Sequence, residues 1–257
     1  MRIFLSLFTL LFAFEALAFR DCEWTPKTFT RFEKGPAELW FFEVENAAVF
    51  NSYRTSKDQN FIQMQKFIRD RSSTDPRALI ARQTSLFKRR PDLYSESIKI
   101  SNAVRTGKLG KIRSISCLES LLLMEHMKRQ PVQKGPTELS AYVLKKGTNL
   151  RVLYSSENEA SVPFHDEIKK VLRESINSAW EPVFQIHSHP FSLATKELDI
   201  MGVVTPSEPD TNLYFTLFND YKVPQVRISN GFSTFEANLT KGLFSKISDI
   251  RKAPITK

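Results

Sequence analysis

The chain has 257 residues, of which 41% are hydrophobic and 25% charged, and its formal net charge is +9. This length and apolar content suffice for an ordinary buried core and exclude a disordered or low-complexity protein. The basic residues form short separate clusters without interleaved aromatic residues, so no nucleic-acid partner is expected. A basic surface favours an anionic envelope surface or an acidic partner, and its simplest interpretation is a solvated face without specific meaning.

Residues 1–18 have the pattern of a cleaved secretory signal peptide. Arg2 supplies the positive start, Ile3 to Phe14 is almost continuously apolar, and Ala16-Leu17-Ala18 is a small-x-small cleavage site. The apolar run is short for a bilayer span, and no later segment is apolar for about 20 residues. We therefore expect a secreted or periplasmic protein without a transmembrane segment after signal removal. An uncleaved N-terminal anchor is the alternative.

The chain contains two cysteines, Cys22 and Cys117. In an oxidising compartment two cysteines suggest one disulfide bond. Such a bond would close a loop of about 95 residues, which in the chain-entropy model is worth roughly 4–5 kcal/mol. It would tie the start of the mature chain to its middle.

Residues 19–110 predict a mostly helical N-terminal region. Gly35-Pro36 is a plausible helix entry, and Trp40, Phe41 and Val44 follow at helical spacing. Three more helical stripes are predicted at residues 61–68, at 79–87 behind the capping pair Asp75-Pro76, and at 91–104 before Gly107. We interpret these stripes as faces packed on a core, and the region carries no recognisable chemistry.

Residues 111–257 predict a mixed α/β domain, because strand and helix patterns alternate along them. The elements are a strand at 112–117, a helix at 118–128, a hairpin around Lys146–Asn149, a helix at 166–180, a strand from Val183 that delivers two histidines, a helix at 210–220, strands at 223–228 and 232–235, and a helix at 239–252.

Two histidines and an aspartate form the most informative pattern in the chain. His187 and His189 stand one residue apart at the end of an apolar run, so on a strand both imidazoles face the same side. Ser207 and Asp210 follow at Ser-x-x-Asp spacing. Two imidazoles and a carboxylate are the protein ligands of an open catalytic zinc site. The fourth position of such a site holds a water whose pKa the metal lowers to about 7.

With Glu138, in the segment Pro136-Thr137-Glu138-Leu139-Ser140, this pattern resembles the JAMM (MPN+ or JAB) metallopeptidase family over residues of about 112–237. That family has a glutamate at the start of an early strand, a later strand ending in His-x-His-Pro, and then Ser-x-x-Asp. The resemblance implies a cytidine-deaminase-like layered mixed β-sheet flanked by helices. It also implies a zinc ion and a peptide or protein substrate cut at a peptide or isopeptide bond.

The resemblance assigns a role to each matching residue. His187, His189 and Asp210 would bind zinc, and Glu138 would act as general base toward the metal-activated water. Ser207 would hydrogen-bond the substrate oxygen as negative charge develops there. Asp210 lies 21 residues after His189, which is about ten more than the family pattern, so an insertion must loop out beside the cleft. Asp199 is therefore kept as an alternative ligand.

Simpler interpretations of the same residues stay open. The two motif histidines also fit hydrogen-bonded surface residues, and Ser207 and Asp210 also fit a helix cap. Glu138 also fits a solvated strand-edge residue, with Glu119 or Glu125 as the alternative partner of the site. Two other histidines are expected on a helix surface (His126) and in a loop before a helix (His165). The competing functions are a catalytically silent interaction module and an envelope metal-binding protein without hydrolysis.

Overall fold

The structure is a computed structural model that describes residues 22, 28–34, 38–45, 56–130, 137–160, 163–191 and 202–254. The predicted signal peptide and Asp199 lie outside these ranges. Within them the chain forms a mixed α/β fold with one sheet of eight strands and seven helices. No helix in the described ranges has both the length and the apolar character needed to cross a membrane.

The strands are β1 (Thr28–Lys34), β2 (Glu38–Glu45), β3 (Lys111–Ser114), β4 (Leu139–Lys146), β5 (Asn149–Ser156), β6 (Glu181–Ser188), β7 (Gln225–Ser229) and β8 (Ser233–Asn238). Their order across the sheet is β1-β2-β5-β4-β6-β7-β8-β3. Among these strands β6 and β7 are parallel and the other neighbours are antiparallel.

The helices are α1 (Gln59–Arg69), α2 (Pro76–Phe87), α3 (Pro91–Arg105), α4 (Cys117–Arg129), α5 (Asp166–Asn177), α6 (Glu208–Tyr221) and α7 (Lys241–Lys252). Each matches a helix predicted from the sequence to within a few residues. The cap before α2 is also confirmed, since the Asp75 side chain accepts a hydrogen bond from the Arg77 backbone N–H. The predicted hairpin is confirmed as β4 and β5, which turn through Gly147 at φ +59°.

The helix predicted from Pro36 is wrong over Glu38–Glu45, which forms strand β2. The apolar residues Trp40, Phe41 and Val44 fit a helical stripe, but aromatic and β-branched residues also suit a pleated surface. Antiparallel pairing with β1 on one edge and β5 on the other decides for the strand. Both strands precede residue 110, so the sheet is not confined to the predicted domain 111–257.

The sulfur atoms of Cys22 and Cys117 lie at bonding distance, and their Cα atoms are 5.5 Å apart. The predicted disulfide pairing is therefore present in the structure. Cys117 is the first residue of α4, and its neighbours Leu118, Leu121 and Leu122 pack into the hydrophobic core. The bond therefore ties Cys22 to a core helix.

Candidate metal centre

Three side chains with metal-ligating atoms converge at the end of β6. The Nε2 atoms of His187 and His189 are 3.3 Å apart. His187 Nε2 lies 3.3 Å from Asp210 Oδ1, and His189 Nε2 lies 3.6 Å from Asp210 Oδ2. One ligand atom from each residue falls within 4.8 Å of the others, and both histidines are buried. Two nitrogens and one carboxylate oxygen at this spacing fit a single zinc ion with an open fourth position.

Strand pairing places the two histidines and Glu138 together. His187 pairs with Ser140 in β4, so the residue just before β4 stands beside the end of β6. Ser188 points to the other side, where its hydroxyl accepts a hydrogen bond from the Leu139 backbone N–H. The His189 N–H then donates to the Ser229 carbonyl at 2.9 Å, which extends the parallel pairing with β7. Both imidazoles thus face the same side, as the one-residue spacing predicts.

Asp210 reaches the site because the chain returns to the end of β6 after the predicted insertion. The Gly202 N–H donates to the Pro190 carbonyl, and the Asn230 side chain donates to the Gly202 carbonyl. Gly202 has φ +66°, and a Cβ there would meet the Phe191 ring at 2.6 Å, so glycine is required. The chain then enters α6, where Asp210 is the third residue.

Hydrogen bonds behind the site orient both imidazoles. His189 Nδ1 donates to the Val203 carbonyl at 2.7 Å, so Nε2 is the ring nitrogen that faces Asp210 and that a metal ion could take in place of a proton. His187 Nδ1 lies 3.4 Å from the side-chain amide of Gln185, whose Oε1 has no hydrogen-bond partner among the described residues. Turning that amide over would let Oε1 accept the Nδ1–H of His187. Such partners behind a metal ligand fix its tautomer and ring orientation.

The electrostatics of the cluster favour a bound cation. Burial opposes the charge on Asp210, but the two imidazoles hold the pKa of that carboxyl well below its usual range. Burial likewise disfavours the imidazolium of His189, yet the hydrogen bond and charge of Asp210 outweigh it and raise its pKa to about 9. A proton on His189 therefore stands in for positive charge that a zinc ion would supply.

Glu138 is buried, with 5% of its surface exposed, and its side chain lines the same pocket as the three ligand-type residues. Burial raises the pKa of its carboxyl, although the nearby imidazoles act in the opposite direction. The interpretation of Glu138 as a solvated strand-edge residue is therefore wrong. Burial and a raised pKa beside a metal-type cluster distinguish Glu138 from an ordinary exposed carboxylate.

Ser207 caps α6 and holds Asp210. The Ser207 hydroxyl donates to Asp210 Oδ2 at 2.8 Å, and the Ser207 backbone N–H donates to the same oxygen at 2.7 Å. In return the Asp210 N–H donates to Ser207 Oγ, which completes a capping box. The capping interpretation is therefore correct, and the cap itself orients the carboxylate toward the histidines.

The pocket in front of these residues has a volume of about 320 Å³. Sequence reasoning missed that α2 and α3 form one of its walls, through Gln83, Phe87, Ser97 and Ser101. Phe87 is fixed by a stacked contact with Tyr94, whose ring centroid is 4.4 Å away. Nothing in the residue pattern of α2 marks it as part of a site, because its Phe87 fits an ordinary core face.

The other candidate residues lie elsewhere. Glu119 is enclosed by Arg113 and Arg227, and Glu125 pairs with Lys128 and Arg129, so neither faces the pocket.

The expected surface position of His126 is wrong, because its imidazole is buried between the Ser156 hydroxyl and the Thr137 backbone. His165 lies just before α5, as predicted, and its Nε2 contacts Glu157 Oε1 at 2.8 Å. Glu157 is buried next to Glu138, since its backbone N–H donates to the Glu138 carbonyl. No sequence motif marked this neighbour of the site.

No model of a known protein family, no curated protein and no solved structure matches this chain.

Proposed function

We propose that this protein is a secreted or periplasmic zinc-dependent peptidase or isopeptidase of the JAMM type. The observation that carries the proposal is the convergence of His187, His189 and Asp210 beside the buried carboxylate of Glu138 in one open pocket. The donor set and its spacing fit zinc. The disulfide between Cys22 and Cys117 agrees with an oxidising compartment.

Zinc bound by these residues would polarise the scissile carbonyl and lower the pKa of a water toward neutrality. Glu138 would accept a proton from the attacking water and later deliver it to the leaving amine. Its raised pKa suits this exchange, because a carboxyl with a pKa above its usual value holds a proton more readily before passing it on. His187 and His189 are held by Gln185 and Val203, which keeps the site in one geometry through the reaction.

In this proposal Ser207 both holds Asp210 and stabilises the substrate oxygen. Its hydroxyl proton is directed to Asp210 Oδ2 in the structure. To stabilise the developing charge on the substrate oxygen, the hydroxyl must rotate away from Asp210 and toward the pocket that Ser207 lines. The Ser207 backbone N–H can keep its hold on the carboxylate during that rotation.

The first experiment is zinc stoichiometry by elemental analysis on purified residues 19–257. We expect about one zinc per chain in the wild type and none in the His187→Ala/His189→Ala double variant, which removes two of three ligands. Circular dichroism of both proteins checks that the variant is folded. A folded wild type that holds no zinc even after the metal is added back would refute the proposal.

The second experiment separates a hydrolase from a protein that only binds metal. Zinc-loaded wild type and Glu138→Gln are incubated with a proteome-derived peptide library and with lysine-linked isopeptides, and products are identified by mass spectrometry. We expect Glu138→Gln to keep zinc and to lose about 10²–10⁴-fold in rate, as expected for removal of a general base. Retained zinc with no cleavage by the wild type would favour the metal-binding or interaction role instead.

A further inference from the structure

The positive charge of this protein is concentrated in one segment. Residues 66–113 contain 13 basic and 4 acidic residues, a net charge of +9, which equals the net charge of the whole chain. The remaining 24 basic and 24 acidic residues cancel. The segment extends from the end of α1 through α2 and α3 to β3. The net charge is therefore concentrated on α2, α3 and the segments next to them. We call α2, α3 and the turn between them the helical hairpin.

Most of these cations face solvent. Eleven of the 13 are exposed, namely Lys66, Arg69, Arg71, Arg77, Arg82, Lys88, Arg89, Arg90, Arg105, Lys108 and Lys111. Within the described part of the chain two of the eleven form an ion pair: Arg90 lies 3.4 Å from Asp92, and Lys111 lies 2.9 Å from Glu236. The segment therefore presents a field that its own carboxylates do not neutralise.

The same hairpin forms a wall of the candidate active-site pocket. Gln83 and Phe87 of α2 and Ser97 and Ser101 of α3 line that pocket. Three consecutive cations, Lys88-Arg89-Arg90, directly follow Phe87 and connect the two helices. We call these three residues the basic tip. Because consecutive Cα atoms are about 3.8 Å apart, the Cα atoms of the basic tip lie within roughly 11 Å of that of Phe87, which lines the pocket.

The pocket itself is not basic. Apart from Glu138 and the metal-ligand residues, its described lining is uncharged, including Phe87, Leu213 and Pro209. Away from the candidate metal centre, an acidic substrate side chain would find no cationic partner in this lining, and burying an unpaired charge is costly. Acidic groups of a substrate would therefore be recognised by residues outside the pocket, and uncharged groups by its interior.

We propose that the substrate is an acidic protein or peptide, with uncharged residues at the scissile bond and acidic residues that contact the basic tip. The proposal rests on the zinc hydrolase function and names the substrate class for the same site. Exposed ion pairs contribute modestly one by one, but three cations on a fixed hairpin act together and steer an acidic chain toward the pocket.

Fluorescent peptide hydroxamates test this proposal, because a hydroxamate binds an active-site zinc without being cleaved. Each probe joins Ala-Ala-hydroxamate to an arm of three glutamates, three glutamines or three lysines, and a second set places the arm on the other side of the metal-binding group. Fluorescence anisotropy gives the Kd for zinc-loaded and metal-free protein at 50 and 300 mM NaCl.

We expect the glutamate probe to bind at least about tenfold more tightly than the glutamine probe at low salt, and the difference to shrink at high salt. The variant Lys88→Gln/Arg89→Gln/Arg90→Gln should abolish this preference.

Its matched control is Lys145→Gln/Lys146→Gln/Lys170→Gln, which removes the same number of exposed cations. Lys145 and Lys146 lie at the far end of β4, about 23 Å from Glu138. The control should keep the preference. Thermal melts verify that both triple variants are folded.

Equal binding of the three probes, or an equal loss in both triple variants, would overturn the proposal. Tip-dependent binding of phosphatidylglycerol vesicles or duplex DNA without binding of the glutamate probe would also overturn it, in favour of a lipid or nucleic-acid surface. A glutamate preference that persists without any gain from the hydroxamate and zinc would refute the zinc hydrolase while leaving acidic-peptide binding at the tip supported.

Discussion

Two groups of buried charges lie on the same sheet, and they differ in how completely they are paired. Near β3, β7 and β8, Arg113 donates to Glu119 and Glu236, and Arg227 donates to Glu119. Glu119 is fully buried and also accepts from the Thr234 hydroxyl and the Ser116 backbone N–H. Its arginine partners hold the pKa of Glu119 below its usual value, although burial acts in the opposite direction.

The candidate metal centre at the ends of β6 and β7 is open by contrast. Glu138 has imidazoles nearby but no arginine or lysine partner among the described residues, and Gln185 leaves its Oε1 without a partner. A pocket lies in front of both. Burial of charge alone therefore does not distinguish the two groups. The candidate site differs because its charged and polar groups are incompletely paired and face a cavity.

The charges around Glu119 form what we call the closed group, because its carboxylates are paired with arginines. The largest effect on stability is expected from disrupting this group. Glu119→Gln removes the carboxylate between Arg113 and Arg227 and leaves two partly buried guanidinium groups underpaired. We expect the free energy of unfolding to fall by about 3–5 kcal/mol, measured by urea denaturation at pH 7. Zinc stoichiometry of the folded fraction should not change. A loss below about 1 kcal/mol would mean that Glu119 is not the organising carboxylate.

The buried imidazole of His126 predicts that the stability of the fold depends on pH. Burial lowers the pKa of His126 to about 4, against 6.5 for an unperturbed imidazole. As pH falls below 6.5 the unfolded chain therefore takes up a proton before the folded protein does. Stability should fall by about 3 kcal/mol between pH 6.5 and 4 because of this residue. Urea denaturation at several pH values, compared with His126→Gln, isolates it, and an unchanged slope in the variant would contradict the assignment.

A smaller effect, on zinc affinity, is expected from Gln185, which lies behind the candidate metal centre. Gln185→Leu removes the amide that faces His187 Nδ1, so the imidazole loses its orienting contact. We expect zinc affinity to fall about 10–100-fold, measured by competition with a chromogenic chelator. Gln83→Leu is the matched control, because Gln83 lines the same pocket and, within the described residues, makes no hydrogen bond to His187, His189 or Asp210. Equal affinities for the two variants would show that Gln185 does not orient His187.

The relation between the two histidines was predictable because it depends on local geometry. A strand alternates its side chains, so the spacing of His187 and His189 already determined that both face one side. The cap at Asp75 and the turn at Gly147 were predictable for the same reason. The Ser-x-x-Asp spacing likewise predicted the cap before α6, although not the course of the intervening chain.

The features that sequence reasoning missed depend on distant partners. Strand β2 was mistaken for a helix because its apolar spacing is ambiguous, and only pairing with β5 decides it. The sequence predicts a surface position for His126 because the pattern of one helix does not show which other segments enclose it. Those segments supply Ser156, in β5, and Thr137, ahead of β4. The wall formed by Phe87 was missed because helix packing against the sheet cannot be read from one helix.

The smallest effect should come from Glu138→Gln, measured as stability of the metal-free protein. Burial raises the pKa of Glu138, so its charged form is disfavoured in the folded state, and a neutral amide of the same shape relieves that penalty. We expect the variant to be as stable as the wild type at pH 7, or more stable by up to about 1 kcal/mol. As pH falls from the raised folded pKa toward the unfolded value, the wild type gains stability by protonation and the difference should vanish. A loss comparable to that of Glu119→Gln would place Glu138 among the closed, structural charges and remove the basis for its role as a base.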